Sequence, residues 1–193
     1  PVVSSEKIGV SVKDGVVTLS GEVPSFAEKY AAEKRALHVS GVRSVVEEIK
    51  VELSGHSKRN DLDLAKAAAS ALEWNVLVPS DVKATIEEGI VTLRGEVEWA
   101  YQKDSAANSI RYLTGIKGVN NLIAIKPKIK AKTNEVKDKI EKALMRAARE
   151  EAEKIQVTVQ DDRAILNGHV RSHDESNEAK WAAYAVPGIS RVE

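Results

Sequence analysis

The amino-acid sequence predicts an α+β protein made of three consecutive copies of one small α-β-β-α-β module, each a three-stranded mixed sheet packed on two helices. A hairpin-like stretch recurs with offsets of 74 and 73 residues, beginning at Ile8, Val82 and Ile155. In each copy, a glycine inside that stretch precedes a second glycine by 20 residues. A period this long favours small domains with their own cores over the turns of a solenoid.

The three modules are predicted to span residues 1–53, 60–127 and 132–193. Module 1 starts at its first strand and lacks the first helix, and module 3 stops at Glu193 and lacks the last strand. An incomplete sheet leaves apolar surface exposed. By comparison with the complete module 2, we expect about 10 to 20 further residues at each end of the natural protein.

The first helix of a module is predicted from a stripe of apolar residues. In module 2, Asp61 is the expected N-cap, because its carboxylate can accept a hydrogen bond from an unpaired backbone N–H. Leu64, Ala68 and Leu72 then recur every four residues, which places them on one face of a helix. The corresponding positions of module 3 are Val136, Ile140 and Leu144.

A β-hairpin follows, because apolar residues alternate with polar ones on both sides of a short turn. The turns are Asp14-Gly15, Glu88-Gly89 and Asp161-Asp162. Glycine adopts positive φ without steric cost, so the third turn is predicted to be the least favourable.

Two further sets of glycines are predicted to shape each module. A glycine inside the second strand is expected to let the second helix pack closely on the sheet. These residues are Gly21, Gly95 and Gly168. A second set is expected to end that helix as C′ residues, namely Gly41, Gly115 and Gly188. Together with Gly15 and Gly89 of the turns, they form the set of structural glycines.

This arrangement resembles the BON domain family, whose name joins bacterial osmotically inducible and nodulation proteins. The resemblance rests on the hairpins Val10 to Val23, Ala84 to Val97 and Val157 to Val170, each followed by Gly-Val or Gly-Ile. It implies an envelope-associated or periplasmic binding module that responds to osmotic or other stress and contacts phospholipid. It implies no catalytic residue, and a cytoplasmic location stays open, since no signal peptide is present in this sequence.

The composition argues against several classes of function. The chain has no cysteine, which excludes disulfides, thiolate zinc sites and a cysteine nucleophile. It has 29 basic and 29 acidic residues and a formal net charge of zero, which disfavours nucleic-acid binding. No apolar run is long enough for a transmembrane helix. No motif for a cofactor, a metal or catalysis is found, so the expected protein is not an enzyme and has no cofactor.

The candidate contact site for lipid or a partner combines an aromatic pair with a basic segment. Trp99 stands at the start of the second helix of module 2, where the other modules have Ser25 and Ser172, and Tyr101 follows two residues later. The segment from Lys126 to Arg149 has nine basic and three acidic residues. Its first lysines are Lys126, Lys128, Lys130 and Lys132. Such a segment could lie on anionic headgroups, each basic residue contributing about 1 kcal/mol.

Each of these features also has a purely structural interpretation. Trp99 could pack in the junction between modules, and the basic segment could be a solvated linker and helix face. Trp74 and Trp181 are expected to pack at module edges or junctions.

Two functions remain open from the sequence. The first is a stress-associated protein that binds anionic phospholipid surfaces or protein partners. The alternative is a chaperone-like or scaffolding module that acts on protein clients.

Overall fold

The computed structural model describes residues 7–128, 133–147, 155–170 and 172–193. The helices are α1 (Phe26–Leu37), α2 (Asp61–Trp74), α3 (Ala100–Arg111), α4 (Thr133–Ala147) and α5 (His173–Tyr184). The strands are β1 (Ile8–Lys13), β2 (Val16–Val23), β3 (Ser44–Val51), β4 (Lys83–Glu87), β5 (Ile90–Arg94), β6 (Glu96–Val97), β7 (Gly118–Asn121), β8 (Ala124–Ile125), β9 (Gln156–Gln160), β10 (Arg163–Asn167) and β11 (Arg191–Val192).

All three modules build the same mixed sheet. The strand orders are β1-β2-β3, β4-β5-β7 and β9-β10-β11, and β6 pairs with β8 as a short continuation in module 2. In each sheet the hairpin strands are antiparallel, and the last strand lies parallel to the middle one. The parallel pair needs a crossover, which α1, α3 and α5 supply. The predicted fold class is therefore confirmed.

Each module has a hydrophobic core of its own. Leu19 and Ile49 belong to the core of module 1, Leu93 to that of module 2, and Ile140 and Ala183 to that of module 3. The alternation of apolar residues places one face of each strand in these cores, while the apolar stripes of α2 and α4 cover the hairpins.

Module 3 has a shortened last strand rather than none. Arg191 and Val192 form β11, which pairs parallel with Arg163 and Ala164 of β10. Backbone hydrogen bonds between Glu193 and β10 extend this pairing. Val170 has no residue of β11 paired with it and is 43% exposed. The equivalent Val23 and Val97 are each 3% exposed, because their strands have full partners.

The described residues of module 1 begin just before β1, and one face of that strand is exposed. Val10 and Val12 of β1 are 63% and 65% exposed. The equivalent residues of module 3, Val157 and Val159, are 5% and 8% exposed because α4 packs on β9. The same residue type thus lies in two environments at equivalent positions of one fold.

Replacing these valines by threonine is expected to have unequal effects. Val159→Thr buries a hydroxyl in place of a methyl group, which costs about 1–3 kcal/mol of unfolding free energy. Val12→Thr places the same hydroxyl in water and is expected to change stability by less than about 0.5 kcal/mol. Urea unfolding of the two variants, followed by NMR signals from modules 1 and 3, measures both effects. Equal losses would mean that β1 is covered as well as β9.

The glycines predicted to end the second helices lie further along the chain than expected. The helices end at C-cap residues His38, Tyr112 and Ala185, three residues before the glycines. Gly41, Gly115 and Gly188 instead lie in the following turn, with φ of 85°, 100° and 99°. These turns bring the chain back to the hairpin. In each module, the backbone N–H of the residue two positions after the glycine donates to a carbonyl of the hairpin turn. The bonds run from Arg43 to Gly15, from Lys117 to Gly89 and from Ser190 to Asp162, at 2.7, 2.8 and 2.8 Å.

Two of the second-strand glycines, Gly21 and Gly95, allow another part of the chain to pack closely against them, as predicted. The part that approaches them is a backbone segment and not the second helix. Gly95 has φ of 139°, and a Cβ added there would lie 2.7 Å from the carbonyl oxygen of Asp81. Gly21 meets the carbonyl of Lys7 in the same way. Their neighbour is therefore the start of the first strand. Gly168 lies just after β10 ends, as Gly95 lies just after β5 ends.

Asp61 is not the N-cap of α2. Asn60 holds that position, and its side-chain oxygen accepts from the N–H of Asp63 at 2.8 Å. The carboxylate of Asp61 instead accepts from the N–H groups of Glu88 and Gly89, at 2.8 and 3.0 Å. The start of α2 is thereby tied to the β4–β5 turn.

Candidate functional site

Trp99 occupies the N-cap position of α3, where a serine caps the helix in the other two modules. Ser25 and Ser172 accept hydrogen bonds from the N–H groups of Glu28 and Glu175. An indole cannot accept such a bond, because its nitrogen is a donor only. A different bond joins the start of α3 to the preceding backbone: the Oε1 of Gln102 accepts from the N–H groups of Glu98 and Trp99, both at 3.0 Å.

The structure brings Trp99 and Tyr101 together, but it also places Trp99 against module 3. The two rings stack with centroids 6.4 Å apart, and Tyr101 is 48% exposed. Trp99 is half-buried and shares a void of only about 10 Å³ with Pro187 and Ile189. A void of that size holds at most one water molecule. This contact fits the junction interpretation of Trp99, while Tyr101 remains open to solvent.

The first two lysines of the basic segment are paired with glutamates on the neighbouring strand and turn. Lys126 forms a short ion pair with Glu96, and Lys128 lies 3.6 Å from Glu98. These exposed pairs contribute little to stability, but they offset the positive charge that would face an anionic surface. Lys130 and Lys132 lie outside the described residues.

The most exposed aromatic side chain is elsewhere. Trp74, at the end of α2, is 84% exposed, followed by Val76 at 96% and Leu77 at 48%. The expected packing of Trp74 at a module edge or junction is therefore wrong, because most of its side chain is in contact with solvent where α2 ends. We call Trp74, Val76 and Leu77 the apolar tip.

The apolar tip is held in place by Asn75. Its side-chain nitrogen donates to Ser109 Oγ on α3 at 2.7 Å, and its side-chain oxygen accepts from the N–H of Leu77 at 3.0 Å. The loop is thus fixed to the module while three apolar side chains face solvent. The motif Trp-Asn-Val-Leu after a helix was the available signal, but a sequence pattern does not distinguish an exposed apolar run from a buried one.

Trp181 lines a gap of about 250 Å³ between modules 2 and 3, together with Asp104 and Lys180. The centroid of its ring lies 6.4 Å from that of the Tyr184 ring.

Two carboxyl groups have raised pKa values. Burial raises the pKa of Asp104, an effect that Lys103 and Arg111 partly oppose. Burial also raises the pKa of Glu47, although Lys29 lies 3.3 Å away.

Asp104 is expected to make the protein less stable as the pH rises. Because its pKa is raised on folding, the native state binds the proton more tightly than the unfolded chain does. Unfolding free energy therefore falls as the pH rises from about 4, the ordinary value of an aspartate, through the higher native pKa. Asp104→Asn is expected to flatten this fall in urea unfolding measured across that range. Asp138→Asn, on the exposed face of α4, is the control, and an unchanged slope in Asp104→Asn would contradict the assignment.

Within the described parts of the chain, no group of three or more metal-ligating side chains could hold a metal ion. Among the helices that the structure describes, none has the length and apolar character needed to cross a membrane.

Comparison with known proteins agrees with the repeated architecture. The BON domain profile matches residues 1–52, 60–127 and 132–193. Osmotically-inducible protein Y of Escherichia coli (strain K12) is 34% identical over 124 residues. The alignment covers 62% of this chain and 62% of the relative, so it spans less than two thirds of that protein's length.

Two solved structures of CdsD, described as a structural protein of the type III secretion system of Chlamydia trachomatis, also match. They are 16% and 15% identical, with TM-scores of 0.28 and 0.29. Both matches cover 97% of this chain, and they cover 83% and 87% of the matched chains. Scores this low support no argument about fold or function. The family profile, in contrast, covers nearly the whole sequence in three consecutive matches, and the chain belongs to the BON domain family.

Proposed function

We propose that the protein is a non-enzymatic, envelope-associated stress protein that contacts phospholipid surfaces through the apolar tip. The similarity to an osmotically inducible protein supports the stress association. The observation that carries the lipid contact is the exposure of Trp74 and Val76, at 84% and 96%. Tryptophan is enriched at membrane interfaces, where its ring is partly in the apolar region and its N–H remains hydrated.

The energy of this contact is small. Burying one large apolar side chain contributes about 1.5–3 kcal/mol, so three of them give on the order of 5 kcal/mol. A free energy of that size corresponds to a dissociation constant between about 1 mM and 1 μM. We therefore expect the apolar tip to bind the bilayer weakly and reversibly. Contact by several copies of the protein at once would strengthen the binding. A second proposed contact, called the second face, uses the Trp99–Tyr101 pair with Lys126 and Lys128, together with Lys130 and Lys132, which lie outside the described residues.

Single-tryptophan variants of the full chain separate the two faces. Each variant keeps one of Trp74, Trp99 and Trp181 and replaces the other two by phenylalanine. Quenching by brominated lipid in vesicles of phosphatidylcholine and phosphatidylglycerol is expected to be strongest for Trp74. Stronger quenching of Trp99 than of Trp74 would indicate that the second face, and not the apolar tip, contacts the lipid. Absence of vesicle binding at low salt, in a sedimentation assay, would overturn the lipid proposal.

A protein-client function is the second candidate, and the apolar tip favours it as well. Trp74 and Val76 are 84% and 96% exposed. An exposed apolar patch can bind another protein as well as a membrane. The client function predicts that the protein suppresses aggregation of an unfolded protein without lipid, and that Trp74→Ser with Val76→Ser abolishes this effect. Unchanged suppression by that variant would exclude the apolar tip as the client site.

A further inference from the structure

A cleft of about 530 Å³ lies between modules 1 and 2, where α1 and α3 face each other. Lys34, Arg35 and His38 line it from module 1, and Arg111 lines it from module 2. The rings of Tyr30 and Tyr112 form part of its walls. This volume is in the range of small-molecule sites, so the cleft can hold a ligand rather than a single ion.

The cleft is positively charged although the whole chain has no net charge. No aspartate or glutamate is among the described residues that line it. His38 has a carboxylate partner, Asp174 of module 3, at 3.1 Å. In the described ranges of the chain, no carboxylate forms an ion pair with Lys34, Arg35 or Arg111, and the charge of Asp104 acts on Arg111 only from a longer distance. The positive charges of the two modules repel each other across the cleft. A bound anion would attract the basic groups of both modules and so offset this repulsion.

The guanidinium group of Arg111 is oriented for recognition. It lies over the ring of Tyr30 with its central carbon 3.6 Å from the ring centroid, and its Nη1 donates to Asn108 Oδ1. An arginine has five N–H donors in a planar fork that matches the oxygens of a phosphate group. One donor is used by Asn108, so the fork retains donors for a ligand oxygen while the stacked ring limits its rotation.

We propose that this cleft binds a phosphate-bearing anion between modules 1 and 2. The phosphate would be that of a small organic phosphate or that of a phospholipid headgroup, which share the recognised chemistry. Arg111 and the lysine and arginine of α1 would bind its oxygens, and the two tyrosines would contact its organic part. The site is distinct from the apolar tip, so it does not depend on whether the tip contacts a bilayer. Because both modules contribute, the bound anion would also hold them together.

Calorimetric titration of the full chain with sn-glycerol 3-phosphate at low salt, with glycerol as the uncharged control, tests the site. The wild-type protein is expected to bind the phosphate and not glycerol. Arg111→Gln and the double variant Lys34→Gln with Arg35→Gln are each expected to weaken binding about tenfold or more. Arg111→Lys keeps the charge but loses the planar fork, and an intermediate loss is expected. Lys66→Gln on the exposed face of α2 removes one positive charge elsewhere and is expected to leave the affinity unchanged.

Vesicles of phosphatidylcholine, with and without phosphatidylglycerol, separate the two sources of phosphate. Loss of binding to the anionic vesicles in the cleft variants would assign the site to a headgroup. Binding of glycerol phosphate together with unchanged vesicle binding in those variants would assign it to a free organic phosphate. Trp74→Ala is expected to leave the affinity for glycerol phosphate unchanged, which separates this site from the apolar tip. The proposal is overturned if the wild-type protein binds neither probe, or if the glutamine variants bind as tightly as the wild type.

Discussion

Gly95→Ala is expected to destabilise module 2 by about 3 kcal/mol or more. An added Cβ would lie 2.7 Å from the carbonyl oxygen of Asp81 and 2.9 Å from the Cα of Val82, and both are backbone atoms. They cannot move aside as the end of a flexible side chain could. The φ of 139° adds a cost of its own, because residues with a side chain rarely adopt it. Strain and overpacking each contribute about 1–3 kcal/mol.

Gly41→Ala is the control that measures the cost of positive φ without the overlap with neighbouring atoms. Gly41 also has positive φ, at 85°, but a Cβ added there would have no atom within 4 Å. A cost of about 1 kcal/mol is expected for module 1, from the left-handed backbone alone. Urea unfolding of both variants, monitored module by module, measures the difference. Equal losses would show that close approach of the two backbones contributes nothing at Gly95.

Leu93→Ala is expected to cost module 2 about 3–5 kcal/mol and to leave module 3 folded. Leu93 is fully buried in the core of module 2, and removing its side chain leaves a cavity. Module 3 has a separate core and is not expected to lose protection. Module 1 is expected to lose a small part of its stability, because Phe26 packs against the core of module 2. Residue-resolved hydrogen exchange follows all three modules in one experiment.

Ile90→Ala is the control for this prediction. Ile90 lies on the same strand with its side chain on the outer face, and it is 42% exposed. Its replacement is expected to cost less than about 1 kcal/mol. Simultaneous loss of protection in all three modules of Leu93→Ala would mean that the chain unfolds as one cooperative unit.

The repeat made most of the fold predictable from the sequence. Period-two alternation around Asp14-Gly15 and Glu88-Gly89 identified the hairpins, because half-buried strands require it. The spacing of the paired glycines was also informative, but for a different reason than expected. Gly41 and Gly115 follow the helices and return the chain to the hairpin turn, which fixes the interval between the two landmarks.

The proposed contact surfaces could not be predicted in the same way. Exposure of Trp74 depends on where α2 ends relative to the neighbouring modules, and no local pattern encodes that. The cationic cleft combines Lys34 and Arg35 with Arg111, from different modules. Such a combination becomes visible only when the orientation of the modules is known. The lysines of the basic segment were visible in the sequence, but their pairing with Glu96 and Glu98 was not.

The three crossover helices α1, α3 and α5 meet in pairs, which has a mechanical consequence. Arg111 stacks on Tyr30, Lys180 and Asp104 line one gap, and His38 pairs with Asp174. Contacts between the first and second, second and third, and third and first modules form a closed triangle. Two of these contacts would be enough to connect the three modules, so the third one adds a further constraint. Breaking the His38–Asp174 pair would therefore weaken the contact between modules 3 and 1 without breaking the contacts that join each of them to module 2.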